Sequence, residues 1–362
     1  MSTRATLPLL MLLSCFAAQA DAAKIAPYRF PVKCGKPNAF VPYAASQRFE
    51  KPNTKITRII VGIHSSGFDS MKCLDALQQA AARVKGTNDL CLIVTPQFFD
   101  VNHIKEQIPE GLIAWKVSPY RGTSGAVCGP KKEGVTFSAY GAMNQLLTHL
   151  VDLKRFPNLT TVVVVGHSSG GQMAQRYAVA GTYVPQNGVA IRYVASAPSS
   201  FAYLDAKRPR QGSPIRFEAL DGETLKRFPH YNKWGYGLEN RYQAFRRGDD
   251  DFFRRRYAAR RVLYLCGSKD TDTQSSSLST NYGAMLQGRQ RLERMRFFYA
   301  HLIDVFGEDI RKTHAMAVAP GVDHNGFKAY VSRPALRFLF DFDPRDSDRD
   351  GTSDWDEWLA GT

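Results

Sequence analysis

The stretch TVVVVGHSSGGQMAQRYAVA, residues 161–180, decides the reading of the chain. Its first five residues form a continuous, mostly β-branched run, as expected of a strand buried on both faces of a parallel sheet. The run stops at Gly166, and residues 171–180 carry a helical pattern. Between them Gly166-His167-Ser168-Ser169-Gly170 fits G-x-S-x-G, with Ser168 at its centre. The spacing predicts a sharp strand-to-helix turn that holds Ser168 in a strained conformation at the carboxyl end of a sheet. The glycines keep neighbouring backbone clear of the turn. The helix N-terminus favours developing negative charge beside Ser168 Oγ. Ser168 is the candidate nucleophile. Ser169 has the bulky His167 two residues before it, so it reads as a backbone N–H donor to an oxyanion.

A serine hydroxyl is a weak nucleophile and needs a general base held by an acid. His324 stands in Pro320-Gly321-Val322-Asp323-His324-Asn325-Gly326, a loop after the last strand-like run. That gives the chain order serine, acid, histidine. The acid is expected after the next-to-last strand, where Cys266-Gly267-Ser268-Lys269-Asp270-Thr271-Asp272 follows residues 261–266. Asp270 is favoured there, with Asp272 as the alternative. A second copy of the tetrapeptide, His64-Ser65-Ser66-Gly67, follows an early strand but lacks the preceding glycine, since Ile63 stands there. The backbone N–H of Ser65 or Ser66 is the expected second oxyanion donor.

Around these sites lie buried strand runs at 57–63, 90–95, 161–166, 189–195, 261–266 and 315–319. Helical patterns at 70–84, 137–154, 171–180 and 291–306 alternate with them. Alternation of this kind implies right-handed crossovers and an α/β fold with a doubly wound, mostly parallel sheet. Residues 198–260 break the rhythm and are rich in Pro, Arg and aromatics. An insertion of that length between core strands reads as a cap over the site.

With these motifs in place, the sequence resembles the α/β-hydrolase superfamily and, more narrowly, a group of secreted bacterial and fungal hydrolases. Residues 166–172, 62–67 and 320–324 carry the resemblance, with 192–200 and 231–238 in support. It spans roughly residues 55–335. It implies an α/β-hydrolase fold, a Ser168–Asp270–His324 triad and an insertion forming part of the substrate pocket. An HGGG-type oxyanion loop is absent from the sequence, which leaves the second donor open.

The chain has 362 residues, a formal net charge of +15 and 44% hydrophobic residues. That composition excludes a disordered chain, and after residue 20 no apolar run approaches the ~20 residues of a membrane span. Arg4, the apolar run 5–17 and Ala18-Gln19-Ala20 read as an export signal, residues 1–20. Export makes a periplasmic or extracellular protein. It permits up to two disulfides among Cys34, Cys73, Cys91, Cys128 and Cys266. The hydrolase domain is expected over 21–340 and a short tail over 341–362.

The tail holds eight acids against two bases, for a net of −6, and Arg4 adds +1, so the body between carries +20. Asp346, Asp348, Asp350, Thr352, Asp354 and Glu357 fall at the spacing of a twelve-residue Ca²⁺ loop, with Gly351 at its turn. The loop is EF-hand-like and resembles those of dockerin and thrombospondin type 3 repeats. Catalysis itself needs no cofactor.

The reaction expected is hydrolysis of a small or polymeric carboxylic ester through an acyl-enzyme. A peptidase of the same fold is the nearest variant. A non-catalytic binder of polyanions or of an anionic envelope surface, with a calcium-ordered tail, is the reading from another class. Neither nucleic acid nor a membrane span is expected. Many of the body's basic residues cluster at 207–210, 246–247, 254–256 and 260–261. They read as a solvated surface, or as a rim that steers anionic substrates.

Overall fold

A computed structural model describes residues 24–104, 108–123, 125–185, 188–210, 215–242 and 248–341. The expected signal (1–20) and the calcium loop (346–357) lie outside the described residues.

Fourteen strands are present among the described residues. They are β1 (Tyr28–Pro31), β2 (Phe40–Ala45), β3 (Arg58–Ile63), β4 (Cys91–Pro96), β5 (Phe99–Asp100), β6 (Ile113–Trp115), β7 (Gly125–Cys128), β8 (Glu133–Thr136), β9 (Thr161–His167), β10 (Ala190–Ser196), β11 (Arg208–Arg210), β12 (Arg216–Glu218), β13 (Arg261–Gly267) and β14 (His314–Ala319). The helices are α1 (Ser70–Ala82), α2 (Ala139–Leu150), α3 (Ser169–Ala180), α4 (Gly222–Arg227), α5 (Asp250–Ala258), α6 (Tyr282–Met285), α7 (Arg291–Phe306), α8 (Gly326–Tyr330) and α9 (Arg333–Phe340).

Eight strands form one sheet in the order β1-β2-β4-β3-β9-β10-β13-β14. From β4 to β14 every neighbour is parallel, while β1 and β2 are antiparallel at one edge. The order reverses after β4, which makes the sheet doubly wound. Both β3 and β9 are buried at every position, as their unbroken apolar runs require. Full burial of the four valines 162–165 contributes about 1.5–3 kcal/mol each. Each of the six strand runs and four helical patterns read from the sequence corresponds to an element here.

Two things were not legible. Residues 99–136 form a small separate sheet in the order β5-β6-β7-β8, whose strands are too short for a periodicity to show. The second is the packing of the 198–260 insertion. Phe201, Ala202, Tyr203 and Leu204 are fully buried, and Phe201 stacks on Phe298 of α7 with ring centres 4.4 Å apart. Three of its arginines among the described residues are internal staples. Arg256 donates to the Val179 carbonyl, and Arg260 to those of Tyr177 and Gly181. These are the last carbonyls of α3, where a cation complements the helix dipole. Arg208 is buried and donates to the carbonyls of Asp205, Lys207 and Tyr236. For these residues the surface reading of the basic clusters is corrected.

The disulfide expectation is also corrected: Cys34, Cys73, Cys91, Cys128 and Cys266 are all free thiols. Cys73, Cys91 and Cys266 are buried on three different elements, α1, β4 and β13, where each packs as a small apolar side chain. Burial pushes the thiols of Cys73 and Cys91 up to about 12.

Candidate active site

Ser168 follows β9 directly, with φ 57° and ψ −118°, and α3 begins at the next residue. A non-glycine residue at positive φ is a strained arrangement that its surroundings must enforce. Here the Ser168 N–H donates to the Ser196 carbonyl of the neighbouring strand β10, at 2.9 Å. A Cβ on Gly166 would lie 2.3 Å from the Gly170 carbonyl, and one on Gly171 2.3 Å from the Ser196 carbonyl oxygen. The turn closes only because both positions lack a side chain.

The structure brings Ser168, His324 and Asp270 into one line. Ser168 Oγ lies 3.1 Å from His324 Nε2, and His324 Nδ1 lies 2.7 Å from Asp270 Oδ2. With Nδ1–H donating to the carboxylate, Nε2 is left free to accept from the serine hydroxyl. Ser168 and Asp270 are 5% and 2% exposed, and the His324 side chain 25%. Asp272, the alternative acid, is exposed and accepts from the Gln274 N–H instead. Burial would raise the Asp270 carboxyl. The hydrogen bond from His324, then the charges of His324 and Arg291, outweigh it and hold the group below the usual carboxylate range.

Arg291 was not singled out by the sequence, where it only opens a helical pattern. It is 1% exposed and reaches the other oxygen of Asp270 at 3.4 Å, while its second nitrogen donates to Ser277 Oγ at 2.9 Å. His167 lies against His324 with ring centres 4.7 Å apart, and its Nδ1 is 3.0 Å from Ser196 Oγ. Burial, then the neighbouring His324, lowers the His167 imidazole to about 3, so it stays neutral.

The second turn sits beside the first. A Cβ on Gly170 would lie 2.2 Å from the Ile63 carbonyl oxygen and 2.7 Å from that of His64. Ser65 and Ser66 are exposed in this turn. The turn is pinned by His64, whose Nε2 accepts from the Phe98 N–H at 2.8 Å. That bond places the ring proton on Nδ1, which faces the Ser65 carbonyl at 2.9 Å. Tyr120 donates to the same carbonyl at 2.6 Å. Tyr120 lies in a 3-10 turn, Pro119–Arg121, within a stretch that carries no sequence signal for it. Ser169, the other expected donor, opens α3, so its N–H is among the first four, which lack an intrahelical acceptor.

A cleft of about 700 Å³ lies beside the two turns, lined by His64, Ser65, His167, Gly326, Phe327 and Tyr330 among others. A larger surface hollow of about 950 Å³ is at the amino end of β4, by Asn53, Asp75 and Cys91, and takes no part in the site. Asp205, His301 and Asp304 are the group of potential metal ligands among the described residues. His301 Nε2 accepts from the Leu204 N–H, which puts the proton on Nδ1, the atom nearest Asp205. A protonated Nδ1 cannot ligate, so the cluster does not fit a metal.

A family model described as the alpha/beta hydrolase family matches residues 120–360. That is well over half of the chain, and the chain belongs to this family. A poly(aspartic acid) hydrolase from Sphingomonas sp. KT-1 is similar in structure at 19% identity. The alignment covers 88% of this chain and 98% of that one, with a TM-score of 0.58. A poly(3-hydroxybutyrate) depolymerase from Bordetella parapertussis is similar at 18% identity, over 84% and 85% of the two chains, with a TM-score of 0.52. Both likenesses establish the fold. None of the curated proteins matches this chain. No helix among the described residues is long and apolar enough to cross a membrane.

Proposed function

We propose that this protein is a serine hydrolase that cleaves carboxylic esters, small or polymeric, through an acyl-enzyme. The observation that carries the reading is the continuous line from Ser168 Oγ through His324 to Asp270, at 3.1 and 2.7 Å. His324 takes the proton of Ser168 as the hydroxyl attacks the ester carbonyl. It then gives that proton to the departing alkoxide, which leaves as the alcohol. Water, activated by the same histidine, releases the acid and restores the serine. Asp270 fixes the tautomer of His324 and stabilises its imidazolium. Arg291, itself held by Ser277, keeps the carboxylate in place.

The backbone N–H of Ser169 and that of Ser65 or Ser66 receive the oxyanion, each worth about 10²–10³ in rate. The exported location is part of the same reading, through residues 1–20. So is the Ca²⁺ loop of Asp346, Asp348, Asp350, Thr352, Asp354 and Glu357, which would order the tail and take no part in cleavage.

The test is turnover of p-nitrophenyl esters together with labelling by a fluorophosphonate. Ser168→Ala is expected to lower kcat by about 10⁶ and to abolish the label. Equal labelling of the variant and the natural protein would overturn the assignment.

A further inference from the structure

A second cavity, of about 420 Å³, is lined by Arg121, Arg227, Phe228, His230, Tyr236 and Asn281 among others. Three chain segments that support the candidate catalytic site also contribute to its lining. Arg121 follows Tyr120, whose hydroxyl holds the Ser65 carbonyl in the oxyanion turn. Asn281 and Gly283 continue the segment of Ser277, the residue bonded to Arg291 behind Asp270. Tyr236 adjoins Gly235, whose carbonyl accepts two bonds from Arg176 on α3, the helix that starts at the candidate nucleophile.

The charge of this cavity is one-sided. No Asp or Glu among the described residues lines it. Arg121 donates to the Tyr236 hydroxyl at 3.1 Å and lies over that ring at 5.1 Å, but joins no ion pair among the described residues. Arg227 lies over the Phe228 ring and likewise joins none.

Behind the wall two fully buried guanidiniums are held by neutral acceptors. Arg176 donates to Gly235 O and Ser200 Oγ. Arg294 donates to Gly288 O, Ser199 O and Met285 Sδ. Glu293, the acid whose charge acts on Arg294, is engaged by Arg289. Burial would raise the Tyr236 phenol, yet the Arg121 charge and its hydrogen bonds hold it below its ordinary value.

A guanidinium matches a carboxylate in shape, and buried cationic charge without an anion is costly to maintain. From this placement we propose that the cavity binds a carboxylate carried by the substrate, with Arg121 as the principal contact and Arg227 at the mouth. The substrate is then an ester whose acyl part bears a negative charge a short chain away from the scissile carbonyl. This rests on the serine hydrolase reading. It goes beyond that reading by assigning the substrate's charge.

The experiment compares two p-nitrophenyl esters of equal acyl length, the neutral valerate and the anionic hydrogen glutarate, at low ionic strength. The natural protein is expected to favour the glutarate ester in kcat/KM by about 30-fold or more. Arg121→Gln is expected to lower that preference about 30-fold, mainly through KM, as loss of a charge-assisted bond does. Arg227→Gln, at an exposed position, is expected to lower it about fivefold and guards against a folding defect at Arg121.

No preference in the natural protein, or a preference unchanged in both variants, overturns the proposal. Fluorophosphonate labelling separates the two readings. A labelled protein without discrimination loses only the carboxylate site. If the label is absent, the hydrolase reading fails and calorimetry with glutarate decides the cavity. Saturable binding weakened by Arg121→Gln supports it, and no binding overturns it.

Discussion

The tetrapeptide His-Ser-Ser-Gly occurs twice, at 64–67 and at 167–170, each time after a buried parallel strand. The two copies do different things. In the second copy the first serine is driven to φ 57° and its hydroxyl faces His324. In the first copy neither serine has a positive φ, and Ser65 offers its carbonyl to Tyr120. The glycines differ as sharply. A Cβ on Gly170 would strike the Ile63 carbonyl at 2.2 Å, whereas one on Gly67 would meet nothing within 4 Å. Four identical residues thus act according to what precedes them. Gly166 lets β9 run into a tight turn, while Ile63 gives β3 a wider one. The histidines share a task in both copies: each is buried and neutral, and each props its turn.

The glycine pair gives the largest expected effect. Gly170→Ala must push the two turns apart against backbone, and should cost at least about 3 kcal/mol in denaturant unfolding. Gly67→Ala should stay within about 0.5 kcal/mol. A tolerated alanine at 170 would break the claim that the turns are locked together.

Next comes pH. Burial lowers His64 to about 4, and burial with the nearby His324 lowers His167 to about 3, while in the unfolded chain both titrate near 6.5. Acid therefore protonates the unfolded state first. Stability is complete above about pH 6.5 and falls as the pH drops toward the folded values. From pH 7 to 5 the loss is about 2 kcal/mol per imidazole, and His314, lowered by burial to about 4, adds a third. Unfolding free energies that stay flat between pH 7 and 5 would contradict the buried neutral state.

The smallest effect expected is at Ser65. If its turn contributes only backbone N–H, Ser65→Ala should keep kcat/KM for a p-nitrophenyl ester within about threefold. The equivalent change at Ser168 is expected to remove about 10⁶. A hundredfold loss at Ser65 would give its hydroxyl a role that the comparison denies.

Much of the site was legible because its parts are local. G-x-S-x-G is a turn between adjacent elements, and Asp270 and His324 each sit in the loop after a recognisable strand. The choice of Asp270 over Asp272 was not settled locally, since two acids two residues apart satisfy the same loop. It took the position of His324, 54 residues away, to separate them. Arg291 was invisible for a related reason: an arginine at the head of a helix looks like any solvated one until its partner is known. The small sheet over 99–136 was missed because strands of two to four residues carry no period. The insertion's arginines look like a cationic surface in the sequence. In the fold two of them, Arg256 and Arg260, cap the end of α3.

By itself, then, the sequence determined the parallel sheet, its crossovers, the strained serine and the order of the three candidate catalytic groups. Each of these follows from neighbours in the chain, through burial of continuous apolar runs and glycine-dependent turns. The tertiary structure alone decided which acid meets His324, which carbonyls the buried arginines satisfy, and which side chains gather around the Arg121 cavity. Those are contacts between residues tens to hundreds of positions apart. Their energies come from charge and hydrogen bonding in a dry interior, where partners are set by the packing of the sheet.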